Sequence, residues 1–501
     1  MPCFTYFSDS IQNQLNPYIL AIDIGTTSTK ALAVCSDGKI IASHQIFYPT
    51  FYPQAGFAEQ DPQQIYQAVL EVISKVIHKG SDYYSLKGIS FSSAMHSIMA
   101  VDADAKPLTP LVIWADTRST PQAKALRKSL LGKALHHETG APVHPMSPLC
   151  KLIWWKENHP ELISAAHKFI SIKEFVVYEL CGEYLVDYSI ASASGLFDIN
   201  SLQWHNEVFQ LTGVKAEQLS KPVNATFTCA IKPEIQKRLS LPDVPLIMGA
   251  SDGCLAQLGS GAMNKDDLTI TIGTSAAVRR VSKKNLDDPQ LRLFNYPLDE
   301  KTLISGGASN NGTVIIDWFN REFNSLSQNL KEFVKDTEKV DPGSEGLIAL
   351  PYLQGERAPI YNPQARGVFF GVSVRHTPNH FKKALLEGIC FEILSIVKSV
   401  ESVHGPSDKI FVSGGFTYST EWVQLLSHVL GRKLIQSEVN DASAIGAAMI
   451  GFESLGISFQ LQTGERKLYE PDMELSKVYH RQFEVFEHLY NQLEPLFERT
   501  L

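Results

Sequence analysis

A short pattern occurs twice in this chain of 501 residues, spaced at domain scale. Ile22-Asp23-Ile24-Gly25-Thr26-Thr27-Ser28-Thr29-Lys30 runs from an apolar stretch into a glycine and a string of hydroxyls. A looser copy, Ile270-Thr271-Ile272-Gly273-Thr274-Ser275, stands in the second half. Each predicts a strand that turns tightly at glycine, so that backbone N–H groups and hydroxyls point at phosphate oxygens. One copy constrains little. Two copies predict two related halves facing each other across one phosphate chain. Only the first carries a carboxylate, Asp23, where the second has Thr271. The halves are therefore alike in shape and unlike in charge, and one acid beside a triphosphate is an attachment point for Mg²⁺ through water.

The length suits roughly two to four domains, and 44% hydrophobic with 20% charged residues is an ordinary globular balance. A net charge of −8 argues against nucleic-acid binding through a broad basic surface. Seven cysteines (Cys3, Cys35, Cys150, Cys181, Cys229, Cys254 and Cys390) are dispersed without a CxxC pair. That reads as reduced thiols in a cytoplasmic protein, neither a disulfide framework nor a zinc site. Residues 1–17 contain Asp9 and no long apolar run, and read as a short extension before the first strand. No apolar run approaches the ~20 residues of a membrane span.

Residues 18–24, 31–35 and 40–44 predict a three-stranded meander, with Ser36-Asp37-Gly38-Lys39 as a tight turn. Pro62 to Ile77 has helical spacing, placing Ile65, Val69, Val72, Ile73 and Val76 on one face. Leu86 to Ser92 is a strand. Residues 148–159 and 160–182 read as two helices, and 184–198 as less regular. The strand at 244–250 ends in Ala250-Ser251-Asp252-Gly253, where the domain change is placed: an extension over 1–17, a first domain over 18–250 and a second over 251–501. The second half predicts a helix over 378–403 and a strand over 409–412 that ends in Ser413-Gly414-Gly415-Phe416. A helix over 420–430 follows, then a small-residue helix over 441–451 with Asp441 as N-cap. A C-terminal helix over 477–496 turns Val478, Phe483, Phe486, Tyr490, Leu493 and Phe497 toward a core.

Other phosphate motifs are missing. Gly307 to Gly312 is followed by Thr313 and lacks the lysine of a P-loop, no GxGxxG follows the first strand, and HRD with DFG does not occur. Asp252, at a strand end shortly before the second glycine corner, is the candidate general base. Such a group typically contributes ~10²–10⁴-fold. Capping a helix that starts at Gly253 is the alternative, and one carboxylate can do both. Asp23 lies inside an apolar strand, where an acid without a partner is costly. Lys30 reads as a phosphate neutraliser or as a lysine snorkelling from its strand. Gly414-Gly415 reads as a strand end where a flat ring approaches the backbone, or as a plain turn. Gly446, Ala447 and Ala448 read as helix-packing residues. Met95 and His96, then Trp114, Asp116 and Arg118, follow short strands in the half that holds Asp23. Singly they read as a core methionine, a satisfied histidine and a surface ion pair; together they suggest a polyol pocket.

Longer motifs carry a resemblance. Met146-Ser147-Pro148-Leu149-Cys150-Lys151-Leu152-Ile153-Trp154-Trp155-Lys156-Glu157-Asn158 resembles the first signature of the FGGY carbohydrate kinases. Gly367 to Val372, with His380-Phe381 and Ala384-Leu385-Leu386-Glu387-Gly388, resembles the second, Leu385 being a mild departure. Gly355-Glu356-Arg357-Ala358-Pro359 with Asn362-Pro363 and Ala365-Arg366-Gly367 is also similar to that family. The resemblance runs from Tyr18 onward. It implies an α/β chain of two actin-like, ribonuclease H-like ATPase domains with ATP and sugar in the cleft between them. It implies Asp252 as base, Asp23 as the Mg²⁺ acid, and Thr26, Thr27, Ser28 and Lys30 facing Gly273 and Thr274 across the phosphates. Gly312, Gly414, Gly415 and Ser419 fall at the nucleotide, and Met95, His96 and Met146 at the sugar. A homodimer is a family-level expectation. Within the family, Ala94-Met95-His96-Ser97, Trp114-Ala115-Asp116-Thr117-Arg118 and Asn310-Asn311-Gly312 are most similar to the branch acting on gluconate. Xylulose kinases usually show Gln-Met-His-Gly at the first position, and glycerol kinases an Arg-Glu pair. The implied reaction is ATP-dependent phosphorylation of D-gluconate to 6-phospho-D-gluconate, with His96, Arg118 and Asn310 as candidate donors to the carboxylate. Xylulose or another sugar or polyol is the alternative acceptor. A non-catalytic actin-like sugar-binding protein is a more distant one.

Overall fold

The computed structural model describes residues 15–77, 83–323, 329–436, 441–462 and 466–497. Most of the expected N-terminal extension, residues 1–14, lies outside the described residues. The first half is built on β1 (Asn16–Ile24), β2 (Ser28–Cys35) and β3 (Ile40–Phe47), an antiparallel meander. Helix α1 (Pro62–Val76) follows. Then come β4 (Tyr84–Ser93), the short β5 (Thr228–Ala230) and β6 (Pro245–Ser251). The sheet order is β5-β6-β4-β1-β2-β3, with β4 parallel to β1 and β6 parallel to β4.

The second half repeats this plan with β7 (Asp267–Ile272), β8 (Ala276–Ser282), β9 (Phe294–Pro297), β10 (Leu303–Ser309), β11 (Lys409–Ser413), β12 (Leu434–Gln436) and β13 (Lys467–Tyr469). Its order is β9-β10-β8-β7-β11-β12-β13. Without the edge additions, β3-β2-β1-β4-β6 and β10-β8-β7-β11-β12 are one topology: three antiparallel strands, then two parallel ones. The repeat predicted from two short motifs thus extends to whole sheets.

Local chemistry explains the elements that position the cleft. β1 is central and covered on both faces, so Tyr18 to Ile22 are at most 2% exposed and form an unbroken apolar run. In α1, Asp61 caps the N–H groups of Gln63 and Gln64 at 2.9 and 3.4 Å, and Pro62 supplies the first turn.

Four readings are corrected. Residues 160–182 do not form one helix. A short helix at Pro160–Ala165 ends, Lys168–Ile170 pairs with Met99–Val101, and a new helix starts after Ser171. The cause is a reciprocal cap between Ser171 and Glu174, a start signal inside the apolar run. Residues 184–198 are more ordered than expected, holding a strand at Leu185–Asp187 and a helix at Tyr188–Ala193 capped by Asp187. The C-terminal helix begins earlier, at Met473, and Tyr479, not Val478, takes the buried position. Asp441 occupies the N-cap position with a left-handed φ of 58° but makes no capping bond.

Five helices complete the frame of the cleft: α2 (Pro148–Asn158), α3 (Asp252–Gly259), α4 (Pro378–His404), α5 (Thr420–Leu430) and α6 (Ala442–Ser454). α3 and α6 each follow the fifth strand of their half, and they pack on one another. A Cβ at Gly259 would lie 1.9 Å from the Ala442 carbonyl oxygen, and one at Gly446 would lie 2.1 Å from that of Leu255. One apolar cluster joins Ile19, Ala21 and Ile247 to Ala444, Ala447, Ala448 and Phe452, so the second half's helix completes the first half's core. Gly446→Val should lower stability by about 3 kcal/mol through overpacking. An unchanged thermal midpoint for that variant would show that the two helices are not in backbone contact. Among the described residues no helix is long and apolar enough to cross a membrane.

Candidate active site

The parallel strands β1, β4 and β6 end together. Register pairs Asp23 with Ser92 and Ser92 with Ala250, which brings Asp23 and Asp252 to one edge of the sheet. Crevices outside the carboxyl ends of parallel strands are where open α/β sheets bind ligands. The first glycine corner closes by a bond from Gly25 N–H to the Ser28 carbonyl at 2.9 Å, the second by one from Gly273 N–H to the Ser275 carbonyl at 2.9 Å. The second corner is shorter by one residue. Lys30 stands opposite Asp23 in register, and Ala277 opposite Thr271, so the difference in charge covers both strands of the hairpin.

The corners are presented as N–H donors. Tyr48 OH donates to the Gly25 carbonyl at 2.6 Å, Gln60 Nε2 to that of Thr26 at 2.6 Å, and Tyr48 N–H to that of Thr27 at 3.1 Å. With these carbonyls held on the protein side, no group among the described residues accepts the N–H of Thr26, Thr27 or Thr274. Ser28 Oγ accepts from Gln45 Nε2 at 2.8 Å. At the second corner, Gly312 N–H donates to the Thr274 carbonyl at 3.1 Å and Thr313 N–H to that of Gly273 at 2.8 Å. A Cβ at Gly312 would lie 2.3 Å from the Gly273 carbonyl oxygen, and one at Gly414 (φ 101°) would lie 2.5 Å from that of Ile272. Both glycines are therefore required by close backbone approach. Gly415 faces open space. Ser419 is 1% exposed; its hydroxyl accepts from Trp422 N–H at 3.3 Å and donates to Glu421 at 2.9 Å. It starts α5, and one acceptor lone pair of its hydroxyl stays open.

The two carboxylates differ in commitment. Asp23 Oδ2 accepts from Ser443 Oγ on α6 at 2.7 Å, while Oδ1 is buried without a hydrogen bond. Burial raises the Asp23 pKa, the Ser443 hydroxyl opposes the rise, and Asp441 adds to it. Lys30 Nζ contacts both oxygens of Asp441 at 2.6 Å, which is why Asp441 does not cap its helix. Lys30 and Asp23 are thus both tied to the start of α6, the helix that packs on β1. At Asp252 the capping duty falls to Ser251, whose hydroxyl accepts from Cys254 N–H at 3.4 Å. Asp252 Oδ1 takes the Gly253 N–H at 2.7 Å, and its other oxygen is uncommitted. Burial pushes the Asp252 pKa up to about 6, with the like charge of Asp23 adding and Arg279 and Arg357 opposing.

On the acceptor side, His96 has a left-handed φ of 67°, and its Nδ1 bonds the Ala193 carbonyl at 2.8 Å. Burial lowers its pKa to about 3, so the ring is neutral and Nε2 is an acceptor. The buried Lys151, from α2, donates to the carbonyls of His96 and Ile113 at 2.8 Å each and pins this loop. Trp114 donates to Thr26 Oγ1 at 2.9 Å and lies 5.2 Å beneath the Arg357 guanidinium. Met146 is buried, its N–H on His144 Nδ1 at 3.2 Å. Asn310 donates from Nδ2 to the Gln354 carbonyl at 3.1 Å, and its Oδ1 is buried and unpartnered.

The expected donors to a carboxylate are corrected here. Arg118 forks onto Asp116 at 2.8–3.0 Å, reaches Glu59 at 2.5 Å and stacks on Phe57 at 3.7 Å. Asp116 is wholly buried and also takes the Ala58 N–H at 2.7 Å. Neither offers free charge to a ligand, and His96 presents an acceptor where a donor was expected. The motif Gly355–Pro359 supplies what was missed. Glu356 accepts from Ser309 Oγ, Asn310 N–H, Asn311 Nδ2 and Arg357 N–H at 2.7–2.9 Å. It thereby fixes Arg357, whose Nη2 bonds the Ser309 carbonyl at 3.0 Å and whose Nε is buried without a partner.

Two duplicated sheets, each with a glycine corner, and a carboxylate where the parallel strands end fit a two-domain, actin-like phosphotransferase. Residues 18–259 match the FGGY family of carbohydrate kinases, N-terminal domain, and residues 268–455 match its C-terminal domain. The chain belongs to this family and is a carbohydrate kinase, with ATP as the phosphoryl donor that the family implies. It is 37% identical over 454 residues to a gluconokinase of Bacillus subtilis (strain 168), covering 88% of each chain. It is 30% identical to a xylulose kinase of Lactococcus lactis subsp. lactis, covering 89% of each. Among solved structures, a xylulose kinase and a gluconate kinase, both from Lactobacillus acidophilus, superpose with TM-scores of 0.91 and 0.90. Each is 30% identical, with 97% of this chain and 100% of the other covered.

Proposed function

We propose that this kinase transfers the γ-phosphoryl group of ATP to the terminal hydroxyl of D-gluconate, giving 6-phospho-D-gluconate and ADP. The observation that carries the chemistry is Asp252: at the strand edge, one oxygen uncommitted, with a pKa of about 6. Such a group is a base at neutral pH. It takes the hydroxyl proton as that oxygen bonds to the γ-phosphorus, and the bond to the bridging oxygen breaks with its electrons leaving on ADP. The unfilled N–H groups of Thr26, Thr27 and Thr274 receive phosphate oxygens and stabilise the transferring charge. The buried, unpartnered Oδ1 of Asp23 fits a cation. Asp23 would hold Mg²⁺, which offsets phosphate charge when bound. Closure of the two halves over the substrates would exclude water from the reaction.

Gluconate is favoured by the gluconokinase similarity at 37% identity. Xylulose is the second reading, on the similarity at 30%. A coupled ADP-release assay with gluconate, D-xylulose and D-glucitol separates them. ADP formation with gluconate at the highest kcat/KM is expected. Preference for xylulose moves the acceptor assignment, and sugar binding with no ADP removes the kinase chemistry.

A further inference from the structure

Two consecutive arginines on β8 have opposite fates. Neighbouring strand residues point to opposite faces of a sheet. Arg280 is fully engaged, with Nε on the Lys265 carbonyl at 2.6 Å, Nη1 on the Gly405 carbonyl at 2.6 Å and Nη2 on Asp266 at 3.0 Å. Arg279, on the other face, is only partly accessible, and no group among the described residues bonds its guanidinium.

That guanidinium lies beside the base. A Cβ built at Gly253 would be 3.3 Å from Arg279 Nε, 3.6 Å from its Nη2 and 3.2 Å from Met95 Cε. Arg279 is therefore next to the residue after Asp252 and shares that space with Met95. Register supports this placement: Thr269, opposite Arg279, bonds Gln257 of α3 at 2.6 Å, so this sheet face is turned to the helix that Asp252 begins. Its charged neighbours are Asp252, which favours its charge, and Arg357, which opposes it. Two guanidiniums flank one carboxylate already assigned to proton transfer. A desolvated positive charge without a partner is costly, and an anionic ligand relieves that cost.

The site is displaced along β8 from the phosphate corner. Arg279 is four residues along the chain from Ser275, at the glycine corner, about 13 Å at the usual rise. A polyhydroxy chain with its reacting hydroxyl at Asp252 and the phosphates at the corner can send its far end toward Arg279. We propose that Arg279 is the specificity-determining residue for the substrate carboxylate, binding it through the guanidinium fork at the end of the substrate remote from its reacting hydroxyl. The proposal rests on the gluconate reading above. It assigns to Arg279 the role that Arg118 and His96 cannot fill.

The test compares gluconate with D-glucitol, the neutral polyol in which CH₂OH replaces the carboxylate. Calorimetric gluconate affinity without ATP, and the ratio of kcat/KM for gluconate over D-glucitol, are measured for wild type, Arg279→Met and Arg279→Lys. In Arg279→Met both should fall by at least ~30-fold, the loss typical of removing one partner of a buried charge pair. Arg279→Lys should recover part of each, and affinity for a fluorescent ATP analogue should stay at the wild-type value. Unchanged gluconate affinity in Arg279→Met overturns the proposal, as does a loss confined to the nucleotide analogue. A wild type that prefers D-xylulose to gluconate instead overturns the acceptor assignment, a separate outcome read before any variant is made. Native circular dichroism and retained nucleotide binding in Arg279→Met show that the loss is not unfolding.

Discussion

Asp252→Asn should reduce kcat for gluconate by about 10³-fold or more while leaving the affinity for an ATP analogue close to wild type. The size follows from removing general-base assistance, typically ~10²–10⁴-fold. Asparagine keeps an oxygen for the Gly253 N–H bond, and Ser251 supplies the helix cap, so the fold loses little. The wild-type enzyme should show a matching pH dependence. Asp252 is a base only when ionised, and its pKa stands at about 6. kcat/KM should therefore be level above that pH and fall about tenfold per pH unit below it. Single-turnover rates across pH 5–8 check both statements. Turnover within tenfold of wild type in Asp252→Asn, or an acid limb that persists in that variant with the same midpoint, would remove Asp252 from its role.

Gly312→Ala should cost the nucleotide, not the acceptor. The added Cβ would meet the carbonyl oxygens of Gly273, Thr274 and Ser275 at 2.3–2.9 Å, all backbone, so the second corner must shift. A displacement of about 1 Å in a site that positions reacting groups can cost ~10²-fold. We expect kcat/KM for ATP to fall by about that factor while the calorimetric gluconate affinity holds. Equal loss of both affinities would mean that Gly312 supports the fold as a whole and not the phosphate corner.

The duplicated glycine corners were readable because each is local: a strand, a glycine and hydroxyls within nine residues. Asp252 was readable for the same reason, at the end of an apolar run. The helix break before Ser171 was also written locally, as Ser171 and Glu174 three residues apart, and the apolar run around it masked the signal. Pairings between distant segments were not readable. Arg118 reads in the sequence as a surface partner of Asp116, and only the fold brings Glu59 and Phe57 to it; that Ser419 caps α5 is likewise seen only in the fold. Asp441 sits where a cap belongs, yet its partner is Lys30, in the other half of the chain.

The amino-acid sequence by itself settled the family, the repeat and the acid at the end of β6, because these depend on residues that are neighbours along the chain. The tertiary structure decided which charges are already satisfied and which still face the cleft. Arg279 and Arg280 are adjacent and chemically identical, and the strand pleat sends one to three acceptors and the other to none. A charge is available to a ligand only when the fold has brought it no partner, and that depends on segments far away along the chain.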